Sequence, residues 1–108
     1  MKLPQDALIA PKKISHYLLV WREENDKSGF LATAGYTSKD ARQLAEDLRT
    51  QLLPGKAEQL DRGEYGGKYI IRGRLKGPNG RVLNVISVWM IENSTGRAKF
   101  VTLYPDKT

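Results

Sequence analysis

The sequence predicts an α+β domain in which two N-terminal helices pack on a four-stranded antiparallel meander sheet. Three observations predict it. The apolar period is 3.6 residues before Gly55 and 2 after it, and three glycine-rich turn signals follow at hairpin spacing. The 108 residues, 40% hydrophobic and 28% charged, suffice for one core and not two, so a single domain spanning 1–108 is expected.

The first helix begins at Pro11, whose fixed φ suits a first turn that does not need its missing N–H. Ile14, Tyr17, Leu18 and Trp21 recur at i, i+3, i+4 and i+7 and form one stripe, with Lys12, Lys13 and Ser15 turned to water and His16 beside the stripe. Residues 22–29 have no periodicity and read as an exposed loop, after which Phe30, Leu31 and Tyr36 anchor the chain to the core around Gly35. Thr37 with Asp40 three residues on marks the start of a second helix over about 38–53. Ala41, Leu44, Ala45, Leu48 and Leu52 form its buried stripe, and Pro54-Gly55 ends it.

Four strands follow. Gly63-Glu64-Tyr65-Gly66-Gly67 separates the run 56–62 from the run 68–76, and Gly77-Pro78-Asn79-Gly80 closes a hairpin onto the run 81–91. Asn93-Ser94-Thr95-Gly96 turns into the last strand, 97–104. The third strand is apolar on both pleats, as a central strand covered on both faces would be. In the second, Tyr69, Ile71 and Leu75 point one way, while Lys68, Arg72, Arg74 and Lys76 share the other face with Ile70. Strict alternation places Thr102 and Tyr104 on the pleat of Ala98 and Phe100, which predicts partial burial and a packing role for both.

Several functions are excluded. Without cysteine there is no disulfide, thiolate nucleophile, zinc finger or iron–sulfur cluster, and one histidine without clustered carboxylates makes no transition-metal site. No phosphate-binding, dinucleotide-binding, serine-hydrolase or zinc-deaminase motif occurs, so no cofactor is expected. No apolar run is long enough to span a bilayer, and the N-terminus lacks a signal-peptide layout, so a cytoplasmic location and no membrane association are expected. The sequence carries no signature of oligomeric state.

The net charge of +6 is the positive clue, because a basic surface attracts polyanions. Between Lys56 and Lys99 nine Lys/Arg oppose four Asp/Glu, so most of the excess lies in the sheet-forming half. The ladder Lys68, Arg72, Arg74, Lys76 has side chains about 7 Å apart along one pleat and could track a phosphodiester backbone. The same pattern also suits an edge strand protected from pairing by its cations. Tyr65 and Tyr69, beside the glycine-rich turn, could stack an unpaired base or cover the sheet edge. His16 is the side chain with an ordinary pKa nearest neutrality, and Lys27, Arg72, Arg74, Thr102 and Tyr104 supply the other groups that ribonucleolytic transesterification can use. The expected partners are accordingly RNA, with His16 and Lys27 as candidate catalytic groups, or a protein, either an antitoxin or a host partner.

A sequence of motifs carries a resemblance over nearly the whole chain. The pieces are Tyr17-Leu18-Leu19, Lys27-Ser28-Gly29-Phe30, Gly35-Tyr36-Thr37, Gly66-Gly67-Lys68-Tyr69, Gly73-Arg74-Leu75-Lys76-Gly77-Pro78-Asn79-Gly80-Arg81, Val88-Trp89 and Val101-Thr102-Leu103-Tyr104-Pro105. Together they resemble a family of small bacterial domains of unknown function, sometimes encoded in toxin-rich neighbourhoods. The layout of helices followed by a sheet ending in Val-Thr-x-Tyr-Pro is also similar to the barnase, EndoU and RelE-like toxin ribonucleases. The resemblance implies a His and an Arg in the loop before Lys27. Here that loop is Glu23-Glu24-Asn25-Asp26-Lys27, which keeps the Lys and loses the His, so the resemblance implies either impaired catalysis or catalysis that relies on His16.

Overall fold

The computed structural model describes residues 1–19, 27–64 and 66–107, leaving aside the side chains of His16 and Tyr17. Four strands, β1 (Ala57–Arg62), β2 (Gly66–Lys76), β3 (Val82–Glu92) and β4 (Ala98–Pro105), form one antiparallel sheet in the order β1-β2-β3-β4. The α+β class and the meander therefore hold.

The expectation of two helices packed on the sheet is corrected. Among the described residues, helix occurs in three short stretches. The first is α1 (Pro11–Lys13), which continues as a π-turn over Ile14–Leu18 closed by Leu19 N–H donating to the Ile14 carbonyl at 3.0 Å. The second, α2 (Ser28–Ala32), is a single turn that begins in the last two residues of the predicted loop and runs into the predicted anchor; one turn is too short to print a period in the sequence, but it buries Leu31 completely, as the anchor reading expects. The third, α3 (Ala41–Asp47), runs into a π-turn over Leu48–Leu52. It starts three residues later than predicted because the Asp40 carboxylate accepts from the Thr37 backbone N–H at 2.7 Å and hydroxyl at 2.8 Å, making residues 37–40 a separate turn. These donors hold the Asp40 carboxyl below its usual range.

The wider π-turn brings Leu52 and Leu53 together onto the sheet side, where both are buried. It is this turn, rather than the first helix, that lies on β2: Ile14 and Leu18 are buried, but their stretch packs chiefly on α3. Two glycines ease the approach to β2. A Cβ at Gly73 would stand 2.8 Å from Leu52 Cδ2, and one at Gly55 would stand 2.9 Å from Ile71 Cγ2.

The main core lies between these helices and one face of the sheet. Leu44, Leu48, Leu52 and Leu53 meet Ile71, Leu75, Val85 and Leu103, and Trp89 packs edge-on against Phe100 with ring centroids 5.3 Å apart. The buried Ser87 hydroxyl donates to the Ile71 carbonyl at 3.1 Å and accepts from the Trp89 indole at 2.8 Å, so neither polar group is stranded. Residues 1–10 form a strap. Ala57 N–H donates to the Met1 carbonyl at the β1 end, the Arg49 guanidinium donates to the Gln5 and Ala7 carbonyls, and Leu8 pairs parallel to Lys99 on β4.

Candidate functional site

The opposite face of the sheet carries a separate, smaller apolar cluster of Ile70, Ile86 and Val88 with Val101 against it. Cross-strand register makes this face a grid. Arg74 stands opposite Asn84; Arg72 opposite Ile86, which is opposite Tyr104; Ile70 opposite Val88, which is opposite Thr102; and Lys68 opposite Met90, which is opposite Lys99. Rows lie about 7 Å apart along the strands and strands about 4.8 Å apart, so cations edge the apolar strip along β2.

Thr102 and Tyr104 are on this face, which corrects the alternation argument. Register shifts between Val88 and Trp89, where Trp89 faces Phe100 and Val88 faces Thr102, leaving Val101 as an extra residue. This β-bulge reverses the parity of β4. Ala98 and Phe100 stay in the main core while Thr102 and Tyr104 turn to the grid, with Tyr104 37% exposed. The predicted place beside Ala98 and Phe100 fails for that reason, although Thr102 is half-buried, and no glycine or proline at 100–102 marks the bulge in the sequence.

The structure places Lys68, Arg72, Arg74 and Lys76 on this one face. Lys68 is half-buried, and Arg72, Arg74 and Lys76 are exposed. Arg72 Nη1 lies 3.5 Å from Asp106 Oδ2, with the guanidinium side chain 47% exposed. Among the described residues none of Lys68, Arg74 and Lys76 is paired with a carboxylate. Arg72, Gly73, Arg74, Asn84 and Asp106 line a shallow polar hollow of about 370 Å³. Lys27, at the start of α2, is brought to β4 across 75 residues of sequence, its Nζ donating to Thr102 Oγ1 at 3.3 Å. Sequence reasoning named both residues, but nothing in the sequence pairs them.

Tyr69 is not brought to the cations. It lies on the other pleat, half-buried against the main core, and a Cβ at Gly67 would stand 3.1 Å from its ring. The His16 side chain, Tyr65 and the loop 23–26 lie outside the described residues. No group of His, Asp and Glu able to hold a metal occurs among the described residues, and no described helix is long and apolar enough to cross a membrane.

The fold has a solved counterpart. The chain is similar to a chain of the contact-dependent growth inhibition toxin–immunity protein complex from Klebsiella pneumoniae 342, with a TM-score of 0.66 and 17% identity over 93% of this chain and 100% of that one. At that identity the likeness is one of fold. There is no match among curated proteins. Residues 2–107 match one family over almost their whole length, and the chain belongs to it: the domain of unknown function DUF6883.

Proposed function

We propose that this domain is an RNA-directed module of the toxin ribonuclease type, which lays a phosphodiester backbone along the β2 cations on the sheet face opposite the main core. The observation that carries the reading is the presence of Lys68, Arg72, Arg74 and Lys76 on one face, three of them without a carboxylate partner among the described residues. Exposed guanidinium and ammonium groups in a row gain affinity by releasing the counterions of the nucleic acid. The fold shared with a chain of a toxin–immunity complex supports a toxin context.

In this reading Arg72 and Arg74 hold the scissile phosphate and offset the charge that builds on its oxygens during attack by the ribose 2′-hydroxyl. His16 or Lys27 assists proton transfer. Lys27 is held at the face by Thr102, with Tyr104 two residues further along β4.

The test is binding and cleavage of single-stranded RNA by the double variant Arg72→Glu, Arg74→Glu. Affinity at low salt should fall by at least tenfold and cleavage should stop. Affinity unchanged by the charge reversal would overturn the reading. Cleavage that survives His16→Ala combined with Lys27→Ala would remove these two groups from the chemistry while leaving RNA binding in place.

A second reading rests on a different edge. Beyond Ala57, β1 is exposed from Glu58 to Arg62, and Leu60 is 57% exposed, so this strand could pair with a protein partner as a non-catalytic interaction module. Loss of a partner on Leu60→Lys with RNA affinity unaltered would favour it.

A further inference from the structure

We infer that the cleft between the N-terminal strap and the end of β4 is a nucleobase subsite, so that the RNA engaged by the cation-bearing face is unpaired where it passes Leu8. The inference rests on the RNA reading above and deepens it.

The cleft has a volume of about 300 Å³ and is lined by Leu8, Ala10, Met90, Phe100 and Val101 with Lys13 and Lys99. That is the lower end of the size range of small-ligand sites. Leu8 is 55% exposed, yet its backbone is fixed on both sides: its N–H donates to the Ala98 carbonyl and its carbonyl accepts from Phe100 N–H, each at 2.8 Å. A large apolar side chain is thus held rigidly in water, which costs hydration free energy until something covers it. The Met90 thioether opposite is soft and adapts to a flat ring.

Charge decides which apolar ligand fits. Met90 stands between Lys68 and Lys99 in the cross-strand grid, so the cation row of β2 runs to the mouth of the cleft. Among the described residues Lys99 is tied to Glu92 alone, in an exposed pair 3.4 Å long that an incoming phosphate can replace at little cost. A neutral planar group attached to an anionic chain is the ligand that matches an apolar slot rimmed by ammonium groups, and a nucleotide within a strand has that form. Along β3, Met90 and Asn84 lie about 20 Å apart. The base cleft and the Arg72–Arg74 hollow therefore sit at opposite ends of the same face. In a duplex the bases are stacked inside and cannot enter the cleft; in a single strand they can.

Equilibrium binding by fluorescence anisotropy tests this with three labelled probes: a short oligoadenylate, an abasic phosphodiester chain of equal length, and a matched duplex. The protein should bind oligoadenylate most tightly. Leu8→Ala should weaken that binding by about tenfold, the scale of one lost base contact, and leave the abasic chain unaffected. Arg74→Ala should weaken both. Because Leu8 acts through its backbone in the strap, the alanine variant retains both strand bonds. A shift of the Met90 methyl signal on adding free adenosine gives an independent readout in the unmutated protein. Equal loss on both probes, or no loss on either, with Arg74→Ala still effective, overturns the subsite and leaves the RNA reading standing. Insensitivity to Arg74→Ala as well overturns both. Leu8→Ala that changes self-association instead of RNA affinity would put a second copy in the cleft and also overturn the subsite.

Discussion

At Asp47 a carboxylate only 8% exposed is held by two donors, the Tyr36 hydroxyl and Gln43 Nε2 at 2.8 Å. Burial pushes the Tyr36 phenol far up, and the adjacent Asp47 carboxylate adds to it. The sign follows from linkage. A phenol that keeps its proton in the fold contributes stability that is fully present below the unfolded tyrosine value of about 10 and is lost as the pH rises through the folded one. Tyr36→Phe should cost about 1–3 kcal/mol at neutral pH, because it strips a donor from a buried carboxylate. It should also flatten the loss of stability above pH 10, and urea denaturation at the two pH values measures both effects. None of this pairing was legible: Tyr36 read as an anchor, and nothing in the sequence ties it to Asp47 eleven residues away. Asp40 was half legible, since its bond to Thr37 was foreseen as a cap while its consequence, a turn that delays the helix to Ala41, was not.

Among the elements, β2 could be read from period because its pairing with β3 runs over eleven residues without a register shift and burial alternates from Ile71 to Lys76, with Ile71 and Leu75 buried and Arg72, Arg74 and Lys76 exposed. β4 could not, because one extra residue at Val101 exchanges its faces without any turn-forming residue to announce it. The bulge turns Thr102, which accepts from Lys27 Nζ, to the cation face, where the proposed reading places the reaction. The hairpin between β2 and β3 was legible from Asn79-Gly80, and Gly80 does take a positive φ of 88°. What lay hidden was its docking. A Cβ at Gly77 would stand 2.1 Å from the Ala34 carbonyl oxygen and 2.5 Å from Ala34 Cβ, so the hairpin base is pressed on the segment after α2. Gly77→Ala should therefore destabilise by about 3 kcal/mol or more, since the clash involves backbone that cannot rotate away. Gly80→Ala, with open space around it, should cost only its backbone strain, of order 1–2 kcal/mol. Denaturant midpoints of the two variants compare the costs.

For the whole molecule, the net charge of +6 becomes informative only once it is distributed. One sheet face is closed by Leu44, Leu48, Leu52 and Leu53, and the other presents cations beside a small apolar strip. The sequence suggested cover on both faces of β3, and the exposed cations flank that strand along β2. Ile86 and Val88 are indeed buried, at 6% and 8% exposure, but they form a cluster apart from the main core. The central claim is that Lys68, Arg74 and Lys76 neutralise RNA phosphates. The most direct measurement is the slope of log affinity against log salt concentration for single-stranded RNA, taken for the protein and for the variant with all three changed to alanine. Each lost phosphate contact should reduce the slope by about 0.7, so the variant should bind more weakly at low salt with a slope shallower by about 2. Identical slopes and affinities in the two proteins would contradict the account.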